Sequence, residues 1–554
     1  MKNIEFSNLK RTKTIEKLSK EQFDLVVIGG GITGGGIALD AASRGLKVAL
    51  VEKNDFASGT SSKSTKLIHG GLRYLKQFDF WLVKEVGSER AIVHKLAPHL
   101  VLPEKMLLPL IENGSYGKWL TSVGLKVYDI LAQVTGEDKR KMLEKKEALK
   151  LEPLLPKKIL KGAGYYAEYR TDDARLTIEN IKTCLQFGAT ALNYASVTDF
   201  LYTDEKIAGV IVKDEVTGAA FNINSKYVIS AAGPWADDLR SMNNSKKGKR
   251  LHLTKGVHLV FPYEKLPVKQ SVYFDVPDGR MMFAIPRGKI TYVGTTDTNY
   301  NDDKDKVQTD LADAIYLLSA VNNMFPKINL EMEDIVSSWA GLRPLIHEEG
   351  KSASELSRKD EIFTSETGLI SIAGGKLTGY RKMAERVVDR IAIKMEEEHE
   401  ATVKPCTTQD IPLCGNEFKK YKHVKKYIAA VYERIKTNGF TEHDAWFLVT
   451  NYGKQTETIL ELYQNRKETD NPTKLILAEL QFGIAYEMVQ NPKDFFIRRT
   501  GRLYFDIDSI RTYMEPVLKE FKTIFKTDDA QILEWKEGLY KEIKEHSDFS
   551  MERF

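Results

Sequence analysis

Apolar residues in this chain bunch into short runs that end in glycine, and helical spacing follows them. Phe23-Asp24-Leu25-Val26-Val27-Ile28 feeds Gly29, Gly30 and Gly31 and then a helical pattern through Ala42, after which Leu46-Lys47-Val48-Ala49-Leu50-Val51-Glu52 reads as a second strand. This is a β-α-β unit. Between about residues 90 and 335, helical stretches mix with short strands, among them Tyr227-Val228-Ile229-Ser230-Ala231-Ala232-Gly233 and Ile290-Thr291-Tyr292-Val293-Gly294, so two interleaved layers are expected. A further apolar run ends in glycines very late, Gly368-Leu369-Ile370-Ser371-Ile372-Ala373-Gly374-Gly375, with a helix expected over 376–393. The nucleotide-type domain therefore closes on itself from distant segments. After Glu396-Glu397-Glu398 the pattern turns helical and predicts a separate C-terminal domain over 396–554. Residues 1–20 hold six Lys/Arg against two Glu without an apolar period, and read as a flexible basic arm.

A length of 554 residues allows three to four units at roughly 150 residues each. With 42% hydrophobic and 29% charged residues the balance is that of a folded globular protein, which removes disorder as the main state. No apolar stretch approaches the ~18 residues that cross a bilayer, and Met1-Lys2-Asn3-Ile4-Glu5-Phe6 lacks the apolar core of a secretory signal. The net charge of +5, from 82 Lys+Arg against 77 Asp+Glu, is too small and too evenly spread for a nucleic-acid partner, so an anion must be met by a local site. Three cysteines, Cys184, Cys406 and Cys414, make no Cys-x-x-Cys pair. They argue against a disulfide framework or a bound metal and fit a reducing cytoplasm.

Gly29-x-Gly31-x-x-Gly34 lies between a strand and a helix, with Glu52 at the end of the next strand. Glycines let the backbone approach a diphosphate, the helix N-terminus offers N–H groups and partial positive charge, and an acid accepts hydrogen bonds from ribose hydroxyls. Both FAD and NAD remain open on that ground alone. The hydroxyl-rich run Ser58-Gly59-Thr60-Ser61-Ser62-Lys63-Ser64-Thr65-Lys66 stands where a second phosphate and a sugar-alcohol linker would lie. His69-Gly70-Gly71-Leu72-Arg73-Tyr74-Leu75 then sets a base, a fork of donors and a hydroxyl beside two glycines that bring backbone close to a flat ring. Cations on glycine-punctuated turns recur at Thr254-Lys255-Gly256-Val257-His258, Gly341-Leu342-Arg343-Pro344 and Gly374-Gly375-Lys376-Leu377-Thr378, which is the recognition a phosphate asks for. A helix opening at Gly375 would place its positive end near a reduced ring.

Together with Ala232-Gly233-Pro234-Trp235 and Gly379-Tyr380-Arg381, these motifs closely resemble the FAD-dependent glycerol-3-phosphate dehydrogenases, in order from about residue 21 to 395. The resemblance implies an α/β plus α fold: a glutathione-reductase-like, Rossmann-type FAD domain at 21–90, 165–240 and 335–395, interleaved with a mixed-sheet substrate domain at 91–164 and 241–334, then the helical domain. It implies FAD held by Gly29, Gly31, Gly34, Glu52, Thr60, Ser61, Ser62, Gly70, Gly71, Gly233, Gly374, Gly375, Leu377 and Thr378. It implies oxidation of sn-glycerol 3-phosphate to dihydroxyacetone phosphate, with Arg73, Tyr74, Arg343 and Lys376 holding the phosphate and His69, His258 and Arg343 near the reacting carbinol. The sequence departs from the family in its N-terminal arm and at Gly379, where Thr is expected; neither touches a named role.

Oxidising a secondary alcohol needs a hydride acceptor and a base with a pKa near the working pH. Which of His69, His258 and Arg343 serves is left open by the sequence. The resemblance further implies that electrons pass to a membrane quinone from a protein peripheral to the inner face of the cell membrane. One candidate for contact with the cytoplasmic membrane surface is the stretch 118–131, where Trp119, Leu120, Val123, Val127, Ile130 and Leu131 share a helical face. Homodimer contact is a candidate role for the helical tail. Other readings are an oxidase that uses O₂ and releases H₂O₂, an amine or hydroxy-acid oxidase, and a non-catalytic flavoprotein redox sensor.

Overall fold

A computed structural model of the chain describes residues 4, 6–70, 80–112, 114, 139–347 and 360–549, with the backbone alone for residues 80–82. Two sheets organise it. The first runs Glu361–Thr364, Ile370–Ala373, Ala220–Ser230, Gln22–Ile28, Val48–Val51, Thr190–Leu192, with the hairpin Ala195–Thr203 and Lys206–Asp214 joined to Ala220–Ser230. Its central strands are parallel and in step: Ile28 lies opposite Ser230 on one side and Val51 on the other. That register brings Gly29, Glu52 and Ala231, the residues just beyond each strand, to one edge, where an open parallel sheet binds its ligand. Near-continuous Val, Ile and Leu in these strands follow from burial on both faces, with Ile32–Ser43, Asp173–Leu185 and Tyr380–His399 packed together against the sheet.

Among the described residues the second sheet contains ten strands, in which Leu251–Pro262 pairs antiparallel with Ser337–Ile346 along ten residues, His258 opposite Trp339 and Thr254 opposite Arg343. Three strands cross the boundaries expected from the sequence. Ser337–Ile346, Leu67–Ile68 and Leu160–Arg170 all lie in the second sheet, although the cofactor segments 21–90, 165–240 and 335–395 include all or part of each. Local pattern marks a strand but not its partner, and pairing partners here are up to about a hundred residues away.

The basic arm is not loose. Ser7 caps a short 3₁₀ turn, Arg11–Lys20 is helical, and Leu18 and Phe6 are buried. Arg11 is buried too, its Nε donating to Asp214 Oδ1 at 2.8 Å and its Nη2 to the carbonyls of Asn193 and Tyr194. Phe6 adds a backbone bridge to the C-terminal helices, its N–H to Ala485 O at 3.0 Å and its carbonyl from Met488 N at 2.9 Å. A buried arginine reads as a surface charge in sequence, so the pattern alone predicts a flexible arm.

The helical region has a core of its own, around Val424, Leu448 and Phe482, and it also packs on the second sheet. Its helices Asn471–Tyr486, Ile507–Phe525 and Asp529–Ser547 share one apolar core with Met106, Tyr166, Tyr292 and Trp339 of the second sheet. Buried charges fasten it to the first sheet. Asp55, three residues beyond Glu52, accepts from Arg498 Nε at 2.5 Å and from Arg499 Nη1 at 2.7 Å, both on the π-helical turn Asp494–Arg499. Glu487 takes both Nη groups of Arg175, at 2.7 and 2.8 Å. Burial by itself would push the Asp55 carboxyl up, but the two guanidinium groups outweigh it and hold it at about 2. A depressed carboxylate stabilises the fold above its unfolded value of about 3.9, so this contribution is complete at neutral pH and is lost as pH falls from about 4 towards 2. Asp55→Ala, which leaves two buried guanidinium groups without their shared carboxylate, is expected to cost about 3–5 kcal/mol, read as a lower midpoint in urea denaturation.

Candidate active site

A cavity of about 1070 Å³ opens between the two sheets, running from Glu52 at one end to Arg343 and Lys376 at the other. The Glu52 end is shaped by missing side chains. A Cβ on Gly34 would stand 1.8 Å from the carbonyl oxygen of Gly29, and Gly29 itself has φ +115° with a Cβ position 2.6 Å from Ala231 O. Only glycine at both places lets the turn close against the strands and leaves the N-terminus of Ile32–Ser43 facing the cavity. Glu52 accepts from Gly30 N at 2.6 Å and from Asn54 N at 3.0 Å. Burial raises its carboxyl pKa, while those two N–H groups pull the other way. Of the three hydroxyls expected at a phosphate, Ser61 accepts from Ile32 N at 2.9 Å and so sits at the helix terminus. Thr60 donates to Leu342 O at 2.7 Å, and Ser62 is buried.

At the other end, Gly374 and Gly375 take φ +78° and +83°, and Leu377–Gly379 forms a 3₁₀ turn. The helix expected to open at Gly375 begins at Tyr380, because two consecutive left-handed residues cannot belong to a right-handed helix. Thr378, buried in that turn, accepts from His69 N at 3.1 Å and donates to His69 O at 3.2 Å, which fixes the strand end carrying His69. Gly70 is buried beside it and donates to Glu168 Oε2 at 3.3 Å. Gly233, φ +53°, lines the cavity wall. Gly71, Arg73 and Tyr74, and the amphipathic stretch 118–131, lie outside the described residues.

The three candidates for proton handling separate clearly. His69 and Arg343 line the cavity; His258 does not. His258 is 1% exposed, stacked on Trp339 at 4.7 Å, with Nε2 3.0 Å from Thr65 Oγ1. Burial, then the positive charges of Arg343 and Lys66, hold its imidazole well below the usual histidine range, so it is neutral rather than poised near the working pH. Arg343 donates through Nη1 to Thr296 O at 2.7 Å and Asp297 Oδ1 at 2.6 Å, and through Nη2 to Thr295 Oγ1 at 2.5 Å. A Cβ on Gly256 would meet that Nη2 at 2.5 Å, so the glycine on the neighbouring strand makes room for the guanidinium.

Several residues of the site carried no assigned role in the sequence. Lys66 is 1% exposed, donates to Asp173 Oδ1 at 2.5 Å and Ser62 O at 2.9 Å, and lies within 5.3–5.5 Å of the ring centres of Trp339, Tyr504 and Phe505. Asp173 also takes Ser64 Oγ at 2.7 Å. Asp297, the partner of Arg343, had no motif to mark it. The one available signal was an acid directly following the Gly294-Thr295-Thr296 turn.

Residues 24–381 match the model of the family described as FAD dependent oxidoreductase, and residues 406–532 match the C-terminal domain of alpha-glycerophosphate oxidase. The aerobic glycerol-3-phosphate dehydrogenase of Bacillus subtilis is 49% identical over 98% of both chains, and that of Staphylococcus aureus is 47% identical over 97% of both. The solved glycerol-3-phosphate dehydrogenase of Bacillus halodurans, complexed with FAD, is 43% identical and covers 99% of this chain and 100% of its own, with a TM-score of 0.85. The L-alpha-glycerophosphate oxidase of Mycoplasma pneumoniae, at 22% identity and TM-score 0.54, shares the fold.

The chain belongs to the aerobic glycerol-3-phosphate dehydrogenase family of FAD-dependent oxidoreductases.

FAD fits the residues present. The glycine turn and the bare N-terminus of Ile32–Ser43 suit a diphosphate, Glu52 a ribose, and the cavity continues from them, past Ser61 and Thr65, to the turn at Gly374 and Gly375. Among the described residues no helix is long and apolar enough to cross a membrane. In the purified protein, Gly34→Ala is expected to abolish FAD retention, seen as loss of the 450 nm band relative to absorbance at 280 nm, with the far-ultraviolet dichroism largely kept.

Proposed function

We propose that this protein oxidises sn-glycerol 3-phosphate to dihydroxyacetone phosphate and hands the electrons to a membrane quinone. One observation carries the reading: Arg343 and Lys376, cations suited to a phosphate, line the same cavity as His69 and the dinucleotide turn. The names of relatives at 47–49% identity support the substrate part of this reading. When bound, FAD supplies the two-electron acceptor for the hydride leaving the carbinol carbon. The rest falls to the protein. Arg343, anchored on Asp297, and Lys376 bind and orient the dianion; Arg73 and Tyr74 join them in this reading. His69, held at its backbone by Thr378, accepts the hydroxyl proton as the carbonyl forms. His258 serves that step indirectly, holding Thr65 and the segment leading to His69 in place through its Nε2 contact.

Delivery of electrons to quinone calls for contact with the inner face of the cell membrane, which liposome sedimentation with and without quinone tests. The proton role predicts a division between the two histidines. His69→Gln is expected to lower the rate of flavin bleaching by about 10²–10⁴-fold. His258→Gln is expected to leave the pH dependence of bleaching unchanged, because burial and nearby cations already keep that ring neutral.

The deciding experiment is anaerobic stopped-flow absorbance near 450 nm with glycerol 3-phosphate, followed by mixing with a short-chain quinone or oxygenated buffer. Rapid bleaching, then fast reoxidation by quinone only, is the expected result. Fast reoxidation by O₂ with peroxide would make the protein an oxidase. No bleaching would overturn the substrate assignment.

A further inference from the structure

The cavity that Arg343 lines is also bordered by a hairpin whose strands are Ser271–Asp275 and Met281–Arg287. Its inner face is aromatic: Tyr273 and Phe283 stack at 4.4 Å, and Phe283 meets His69 edge-on at 6.1 Å. Its tip is charged. A turn closed by Gly279, φ +82°, and by the hydrogen bond of Gly279 N to Val276 O presents Asp278 and Arg280 to the cavity. Arg280 donates through Nε at 2.8 Å and Nη2 at 2.5 Å to the same oxygen of Asp278, and its guanidinium lies 4.1 Å from the centre of the Tyr316 ring. The Tyr316 hydroxyl donates to that Asp278 oxygen at 2.9 Å. The second terminal nitrogen, Nη1, makes no hydrogen bond among the described residues, and the side chain is 34% exposed.

This arrangement is more than a tie across a turn. Asp278 and the Tyr316 ring hold the guanidinium plane from two sides, so little rotamer freedom is left to lose when an anion arrives, while a pair of donors remains to be used. Arg280, Arg343 and Asp297, the carboxylate that anchors Arg343, all line the one cavity. The geometry points to Arg280 as a further binding residue for the anionic group of the substrate, acting together with Arg343 in the same cavity. The inference rests on the proposed oxidation of glycerol 3-phosphate and names a residue beyond the set assigned to it.

The test uses the FAD-loaded full chain with Arg280→Met and Arg280→Lys. In anaerobic bleaching over a series of glycerol 3-phosphate concentrations, Arg280→Met is expected to weaken the apparent affinity about tenfold while the limiting rate falls far less, and Arg280→Lys to recover part of the loss. Inorganic phosphate, titrated against the flavin absorption spectrum without turnover, is expected to bind more weakly to Arg280→Met by a similar factor. An unchanged affinity for both probes, or a loss confined to the limiting rate or to FAD retention, overturns the inference. Should glycerol 3-phosphate fail to bleach the unaltered protein, the oxidation reading falls, and the phosphate titration still judges Arg280. A titration that perturbs the unaltered protein and not the Met variant supports the anion site, whereas one that perturbs neither, or both alike, rejects it.

Discussion

An ammonium group buried at Lys66 has to be neutralised where it stands, and Asp173 does so at 2.5 Å. The segment around it is the crossing point of the molecule. Thr60 bonds Leu342 of the second sheet, Ser64 bonds Asp173 beside the first, Thr65 meets His258 and receives the Tyr292 hydroxyl on its carbonyl, and His69 is held by Thr378. A charge of this kind tolerates almost no displacement, since either partner left alone in an apolar setting costs several kcal/mol, of order 3–5. Its position therefore sets the spacing between the dinucleotide turn and the cavity mouth.

The C-terminal helices act on the same segment from outside. Asp55, which ends the stretch beginning at Glu52, is clamped by Arg498 and Arg499, while Trp339 lies between the sheet and Tyr504 of the helical region. The N-terminal helix closes the arrangement, with Arg11 on Asp214 and the backbone of Phe6 paired to 485 and 488. The Phe6 contacts join the first helical segment to the C-terminal helices. The helical region, which has its own core around Val424 and Phe482, is thereby fastened to both sheets.

Electrostatics divides the labour within the cavity. His258 is kept neutral by burial and by nearby cations, so it works as a fixed hydrogen-bonding wall behind Thr65. His69 stands at the cavity with its backbone fastened and its ring against Phe283. Arg343 spends its donors on Thr295, Thr296 and Asp297, which orients the group before any ligand is present.

Much of the cofactor end was legible in the chain, because its requirements are local. A glycine at 34 and a glycine at 29 are needed wherever a strand turns tightly into a helix, and Glu52 follows at the spacing a β-α-β unit imposes. The motifs around His69, Arg343 and Lys376 were legible for the same reason, each being a short run with its own glycine. What tertiary structure alone decided were the partnerships: Ser337–Ile346 on Leu251–Pro262, Arg11 on Asp214, Arg498 and Arg499 on Asp55, Arg280 in the same cavity as Arg343, and His258 outside the cavity lining. A single charged residue looks the same in sequence whether it faces water or a buried partner hundreds of residues away. Backbone geometry is written locally, whereas desolvation and charge pairing are set only when distant segments meet.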